Sequence, residues 1–169
     1  MLVANLHNAL AAQYADPDVP QSHHSLAVLT VRLVFCLYAE DAGLFKPNAF
    51  SQYIESYDAA HLRRAVIDLF HVLNTKFEDR DQYLEDELKA FPYVNGGLFA
   101  NPIEIPQFTD VIRDSLLAAG KGFNWRQISP VIFGSLMEEA LSHDQRSQGG
   151  MHYTAVKEEH PSCHRFVVP

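Results

Sequence analysis

The chain has 169 residues, of which 47% are hydrophobic and 20% are charged. These proportions are typical of a globular protein with a core of its own. There are 13 lysines and arginines against 21 aspartates and glutamates. Because neutralising phosphates requires clustered cations, this acidic balance argues against a self-sufficient nucleic-acid binder. The basic residues are scattered, and Arg63–Arg64 is the only adjacent pair in the sequence.

The cysteines and the apolar runs bear on the cellular compartment. Cys36 and Cys163 have neither the spacing of a zinc site nor that of a disulfide framework. The start of the sequence lacks the basic region of a signal peptide. Its longest apolar run is interrupted by Arg32 and by Glu40–Asp41, so no membrane span is predicted. We therefore expect a cytoplasmic protein.

The first part of the chain shows helical spacing. A helix near residues 2–14 is predicted from four side chains: Leu2, Leu6, Leu10 and Tyr14. The run 16–20, with two prolines, predicts a loop. Ser25 is predicted to cap the next helix, and Gly43 to end it. Since residues 25–38 are apolar on nearly every face, we expect this helix to form the centre of the core.

Four further helices are predicted from capping residues. Asn48 is expected to cap a short helix, and Asp58 a longer one with a single apolar stripe. Thr109 is expected to cap a helix that ends at Gly120. Asn124 is expected to cap a helix over 125–142, which would be kinked or divided by the proline at its sixth position, Pro130.

Two segments between these helices look irregular. Residues 78–89 are strongly charged and predict an exposed loop that runs into a short helix. Residues 91–106 combine turn formers with aromatic side chains, and Phe91, Tyr93 and Phe99 would be costly to leave in water. We expect an ordered, irregular aromatic loop with positive φ at Gly96 or Gly97; a small hairpin there is an alternative.

The charged segment also holds residue types found in metal-dependent nucleases. Such a site needs an aspartate and a glutamate to hold the metal and a lysine to stabilise charge. Glu87 and Lys89 have Asp68, Asp79 and Asp81 upstream. These groups usually lie on adjacent strands, whereas this sequence predicts a helix or loop. We therefore interpret them as a solvated surface, and we expect neither a catalytic residue nor a metal site in the chain.

The histidines offer no stronger candidate. His160, Cys163 and His164 lack a fourth ligand, so we interpret them as a chance cluster. The pair at 23–24 is expected to lie exposed in a loop. His61 and His71 are expected to be surface or packing residues.

Four sequence strings together carry a resemblance to a known family: VRLVFCLYAEDAGLF at 31–45, FPYVNGGLF at 91–99, WRQISPVIFGSLMEEAL at 125–141 and RSQGGMHYT at 146–154. This series resembles the helical spacer of MmeI-like single-chain type II (IIG/IIL) restriction–modification enzymes, which are class I DNA adenine methyltransferases. In that family a nuclease domain precedes the spacer, and an N6-adenine methyltransferase domain and a target-recognition domain follow it.

The resemblance implies a role for four residues near the end of the chain. Gly150, His152, Tyr153 and Thr154 match a segment that opens the methyltransferase domain and lines its S-adenosylmethionine pocket in the family. The residues after Thr154 do not continue the family pattern. We therefore expect a spacer domain over 1–145, followed over 146–169 by a truncated start of the methyltransferase domain or by a disordered tail.

These observations predict one all-α domain without catalysis of its own. The resemblance implies that it couples the nuclease and methyltransferase domains of a parent enzyme, which would supply S-adenosylmethionine binding and DNA contact. The alternative is a free-standing protein-interaction or regulatory domain. An exposed apolar patch on the last helix would favour either function over an enzyme.

Overall fold

The computed structural model describes residues 2–135, 137, 138 and 141. This part of the chain contains no strand, and its helices confirm the all-α prediction. The α-helices are α1 Leu2–Ala11, α2 Pro20–Ala42, α3 Ala49–Glu55, α4 Ala59–Leu73, α5 Asp86–Lys89 and α6 Asp110–Gly122. There are two short 3₁₀ helices, Phe77–Asp79 and Trp125–Gln127. A further helix, called here the C-terminal helix, begins at Pro130.

Helix α2 forms the centre of the core, as predicted. From Leu26 to Glu40 all but one of its side chains are buried. It ends at Gly43, which has a φ of 87° and donates its N–H to the carbonyl of Ala39. Glycine adopts this left-handed conformation without a steric penalty, which explains the predicted stop.

The predicted start of α2 was wrong. The helix begins at Pro20, because proline fits the first helical position, where no N–H is needed. His23 and His24 therefore lie in the first turns of α2 and not in a loop; His23 is exposed and His24 half-buried. Ser25 is a buried residue inside the helix, and its hydroxyl accepts a hydrogen bond from the N–H of Glu104, 2.9 Å away.

Three of the predicted caps are confirmed, and one of them, Asn124, accepts the N–H of Arg126 at 3.0 Å at the start of the second 3₁₀ helix. The Asp58 carboxylate accepts the N–H of His61 at 3.1 Å, and the Thr109 hydroxyl accepts the N–H of Ile112 at 3.2 Å. Asn48 precedes α3 with a φ of 60° but forms no side-chain cap bond. The helix α4 that follows Asp58 buries the predicted stripe: Leu62, Val66, Leu69, Phe70 and Leu73.

Two other predicted boundaries differ. Helix α6 continues past Gly120 to Gly122. A Cβ at Gly120 would lie 3.1 Å from Ser51 Oγ and 3.3 Å from Leu37 Cδ2, so this glycine allows α6 to approach α2 and α3 closely. Pro130 divides the last predicted helix, with Trp125–Gln127 as a 3₁₀ turn before it. No helix in the described ranges is long and apolar enough to cross a membrane.

Candidate functional site: the aromatic loop and the C-terminal helix

The aromatic loop, residues 91–106, has no regular secondary structure but is largely inside the protein. Its buried side chains are Phe91, Val94, Leu98 and Phe99, and Tyr93 is half-buried. Gly96 and Gly97 have φ values of 109° and 83°, which confirms the predicted turn. The N–H of Ala100 donates to the carbonyl of Gly97 at 3.2 Å. The segment forms a turn with no strand on either side, so the alternative of a hairpin is wrong.

Arg32 of α2 holds this loop from within the core. Its side chain is 3% exposed. Nε donates to the carbonyl of Leu98 at 2.9 Å, and Nη2 donates to the carbonyl of Asn101 at 2.7 Å. Its guanidinium carbon lies 5.3 Å from the ring centroid of Phe70 and 5.5 Å from that of Phe99. A buried charge is tolerated where hydrogen bonds and aromatic faces replace water, as they do here.

The guanidinium remains charged under ordinary conditions. Burial lowers the pKa of Arg32 to about 10, which is still well above neutral pH. Each of its two loop contacts is therefore a hydrogen bond from a cation to a carbonyl, a stronger type than a neutral pair. Arg32 thus fixes the backbone of residues 98–101 against α2.

The second half of the loop is fastened through Glu104. Its N–H donates to Ser25 Oγ, its carbonyl accepts the hydroxyl of Tyr14 at 2.7 Å, and its Oε1 accepts the hydroxyl of Ser22 at 2.7 Å. Burial raises the pKa of Tyr14 well above its ordinary range, so this hydroxyl stays a donor. An open cleft of about 480 Å³ lies beside this junction. The carbonyl of the next residue, Ile105, accepts Arg63 Nε at 2.7 Å.

The first residues of the loop are held by a second arginine. Arg80 donates to the carbonyls of Val72, Thr75 and Phe91 at 3.0, 3.1 and 2.8 Å. The N–H of Val94 donates to the carbonyl of Leu73, the last residue of α4, at 2.8 Å. Both ends of the aromatic loop are therefore joined to helices by hydrogen bonds to its backbone.

The sequence analysis did not predict that arginines bind backbone carbonyls of the loop. In the sequence, Arg32 interrupts an apolar run and Arg63 belongs to a basic pair, and neither pattern indicates a carbonyl partner. Arg113 also binds carbonyls, those of Tyr57 at 2.7 Å and Glu55 at 2.9 Å. The available signal was a lone cation within a helix buried on every face, because such a charge requires acceptors.

The C-terminal helix rests on the same face of α2 as the aromatic loop. The ring of Phe133 stacks on that of Tyr38, with centroids 4.0 Å apart and planes 6° apart. Phe35 joins the two regions, with ring centroids 6.4 Å from Phe133 and 5.9 Å from Phe99. Upstream of the helix, the N–H of Trp125 donates to Asp41 Oδ2 at 2.9 Å.

The outer side of the same helix is not packed in this way. Val131 is 79% exposed and Ile132 57% exposed, although each is a large aliphatic residue. The Ser129 hydroxyl accepts the N–H of Ile132 at 3.2 Å, which fixes the first turn. This pair is called here the apolar step. It consists of Val131 and Ile132 only, which is less than the large exposed patch that would favour a spacer or an interaction domain over an enzyme.

The candidate nuclease residues do not form one site, because most of them bond to other partners. Asp68 receives Arg64 Nη2 at 3.0 Å, Asp81 Oδ1 accepts the N–H of Tyr83 at 2.9 Å, and Glu87 Oε2 accepts the Tyr57 hydroxyl at 2.8 Å. Lys89 Nζ lies 3.7 Å from Asp86 Oδ1. Asp79 belongs to the first 3₁₀ helix. Within the described residues, no three side chains of His, Cys, Asp or Glu are grouped so that they could hold a metal ion.

The remaining candidates divide into two groups. His61 and His71 are exposed on α4, and His61 Nδ1 lies 2.6 Å from Asp58 Oδ1. The others lie outside the described residues, so their predicted roles stay predictions: Gly150, His152, Tyr153, Thr154, His160, Cys163 and His164.

Comparison with known proteins finds a family model that matches part of this helical domain. Residues 24–99 match the family model described as MmeI, helicase spacer domain. These residues contain α2 from its fifth residue onward, α3 to α5, and the first part of the aromatic loop. This part of the chain is thus similar to an MmeI-type spacer domain. The predicted resemblance is therefore confirmed.

Two longer proteins resemble this chain over most of its length. DNA methyltransferase A of Bacillus subtilis (strain 168) is 37% identical over 157 residues, which are 91% of this chain and 17% of that protein. The type IIL restriction–modification enzyme MmeI, solved in complex with DNA, is 36% identical with a TM-score of 0.66. That match covers 83% of this chain and 18% of the MmeI chain. The chain thus spans less than a fifth of either relative.

Proposed function

We propose that this chain is a non-catalytic spacer that couples a nuclease domain to an S-adenosylmethionine-dependent N6-adenine methyltransferase domain in a restriction–modification enzyme. The observation that carries the proposal is the match of nearly the whole chain to one segment of a DNA methyltransferase and of a restriction–modification enzyme. As part of such an enzyme it would act in the cytoplasm and contact DNA through the parent protein.

The packing supports a mechanical role. A spacer that holds two domains in register needs irregular segments that do not move, because flexible loops would absorb displacement. In this domain the aromatic loop is held by cationic hydrogen bonds at Leu98 and Asn101. The C-terminal helix stacks on the same helix through Phe133 and Tyr38. One element, α2, therefore supports both candidate contact regions.

The cofactor would belong to the larger protein. Under this proposal Gly150, His152, Tyr153 and Thr154 form one wall of an S-adenosylmethionine pocket whose other walls come from the methyltransferase domain. A methyltransferase site must also hold the flipped base, which needs a complete pocket. We expect that calorimetric titration of the chain with S-adenosylmethionine gives no saturable binding. Low-micromolar, one-to-one binding that is lost in Tyr153→Ala would contradict this.

A free-standing interaction domain is the second candidate function. It is favoured by the apolar step, because exposed adjacent aliphatic side chains are typical of surfaces that contact another protein. The two candidates differ in one testable respect. Only a spacer must function as part of a methyltransferase chain.

A segment exchange tests that difference. The segment of DNA methyltransferase A that matches this chain is replaced by this chain, and DNA methylation by the purified chimera is measured. The control replaces the same segment with a flexible Gly/Ser linker of equal length. We expect the chimera to methylate DNA and the linker control to be inactive. An inactive but folded chimera, or an active linker control, would contradict the proposed function.

A further inference from the structure

We infer that the apolar step, Val131 and Ile132, is the surface on which the methyltransferase domain of the longer protein docks. This inference rests on the proposed function and names its contact surface. Among the exposed large apolar residues of the described chain, these two are the only ones adjacent in sequence. Adjacent side chains on one helical turn form a continuous apolar surface, whereas single exposed apolar residues are ordinary.

The helix that bears the step is fixed on its other side. Phe133, the next residue, is buried at 2% exposure and stacks on Tyr38. Rotation of the helix to hide Val131 and Ile132 would remove Phe133 from the core. Among the described residues, the exposure of the step is therefore a consequence of the packing of this helix.

The position of the step along the sequence favours the methyltransferase domain as its partner. The chain spans 17% of DNA methyltransferase A and 18% of MmeI, so most of each relative is available as a partner. In the sequence, Leu141 of the C-terminal helix lies nine positions before Gly150, at the start of the segment Gly150 to Thr154 where the methyltransferase domain would begin. A domain joined to the chain so close to the step reaches it at high effective concentration, which favours it over any freely diffusing partner.

The experiment uses the methyltransferase chimera defined above. Val131→Lys and Ile132→Lys are introduced together, so that docking would bury two charges. The matched control carries Val19→Lys and Val111→Lys, which are also exposed valines. Val19 precedes the first residue of α2, and Val111 lies in the first turn of α6, whereas Phe133 packs near the other end of α2.

We expect the methylation rate of the 131/132 variant to fall at least about tenfold, while the control stays within about twofold of the unchanged chimera. The isolated chain should melt at the same temperature with and without either pair, because all four positions are exposed. Equal rates for the 131/132 variant and the unchanged chimera would overturn the inference and leave the proposed function intact. An inactive unchanged chimera would overturn the proposed function itself.

Self-association gives a distinct result. If a second copy of the chain covers the step, the isolated chain is a dimer in size-exclusion chromatography with light scattering, and the 131/132 variant is a monomer. If the isolated chain is a dimer and the chimera methylates DNA equally well with and without the 131/132 substitutions, the surface binds a second copy and the inference is overturned. A monomeric isolated chain with a rate loss in the chimera supports it.

Discussion

The aromatic loop and the acidic segment, residues 76–89, are neighbours in the chain but differ in burial. The loop has no helix, whereas the acidic segment holds the first 3₁₀ helix and α5. The loop buries Phe91, Leu98 and Phe99, while the acidic segment exposes Phe77 at 61% and Tyr83 at 83%. The loop turns its carbonyls inward to a buried arginine, whereas in the acidic segment Asp81 and Lys89 bond to neighbours along the chain. The acidic segment is fixed at Arg80, which donates to three carbonyls, and at the buried Leu88, whereas residues 81–85 between them are mostly exposed. Carbonyls that accept from an enclosed arginine therefore mark the fixed parts of both regions.

The largest expected effect comes from removing the cation. Arg32→Met should lower the free energy of unfolding by about 3 kcal/mol or more, since the buried carbonyl of Leu98 and the partly buried carbonyl of Asn101 lose a charged donor. The stability of Arg32→Lys should lie between that of the unchanged protein and that of Arg32→Met, because an ammonium group keeps the charge but cannot reproduce the planar fork. Urea denaturation measures the stability of both variants. The control is Arg64→Met, an exposed arginine bonded to Asp68, which should change stability by less than about 0.5 kcal/mol. Equal effects at 32 and 64 would refute the special role of Arg32.

The turn of the loop is the next test. Gly97 has a φ of 83°, and a Cβ there would meet nothing within 4 Å. Gly97→Val should therefore cost about 2 kcal/mol through backbone strain alone, and Gly97→Asn clearly less, since asparagine tolerates this conformation. Thermal unfolding of the two variants checks the order. An unchanged melting temperature for Gly97→Val would show that the loop backbone is free to relax.

Arg80 joins the two regions and should have an intermediate effect. It is half-buried and donates to three carbonyls, one of them that of Phe91 in the aromatic loop. We expect Arg80→Met to cost about 2 kcal/mol, because water reaches part of the site and replaces some of the lost bonds. Limited proteolysis should then cut residues 76–89 faster. Faster cutting within 98–101 instead would contradict the assignment of that stretch to Arg32.

Alkaline pH should loosen the loop at Tyr14. The pKa of this hydroxyl is raised in the folded protein by burial, so the folded state favours the neutral form. Its contribution to stability is complete below the unfolded pKa of about 10 and is lost as the pH rises above that value. Stability measured by urea unfolding should therefore fall above pH 10. The fall should be smaller in Tyr14→Phe, and an identical pH profile in that variant would exclude Tyr14 as the source.

The smallest effect is expected in the acidic segment. Tyr83 is 83% exposed, so Tyr83→Ser should change the free energy of unfolding by less than about 0.5 kcal/mol. Phe91→Ser, in the loop, is the matched variant and should destabilise the domain severely. A large effect of Tyr83→Ser would mean that the segment packs against something and would remove the contrast between the two regions.

Features that depend on neighbouring residues could be predicted from the sequence, whereas contacts between distant residues could not. The caps at Asp58 and Thr109 and the stop at Gly43 act within one turn of the chain, and all three were predicted correctly. The start of α2 was misplaced because Ser25 looks like a cap locally, while its hydroxyl is used by Glu104, 79 positions away. The contact of Arg32 with Leu98 spans 66 positions, so local periodicity could not reveal it.

The candidate site shows the same division. Burial of the aromatic loop followed from its side chains, and its turn from two glycines. The apolar step could not be predicted, because Val131, Ile132 and Phe133 are equally apolar in sequence and only the packing on Tyr38 decides which of them is covered. The roles of the residues from Gly150 to Thr154 remain predictions.

Amide hydrogen exchange of the intact chain, followed by mass spectrometry, tests the central contrast most directly. The N–H groups of Val94, Ala100 and Glu104 are bonded to Leu73, Gly97 and Ser25, and we predict that they exchange as slowly as amides at helix ends. In residues 81–85 the N–H groups of Tyr83 and Leu84 are bonded only to the nearby Asp81, so these residues should exchange much faster than the loop amides. Arg32→Met should speed exchange in the loop and leave residues 81–85 unchanged. Loop amides that exchange as fast as those of the acidic segment in the unchanged protein would contradict the account.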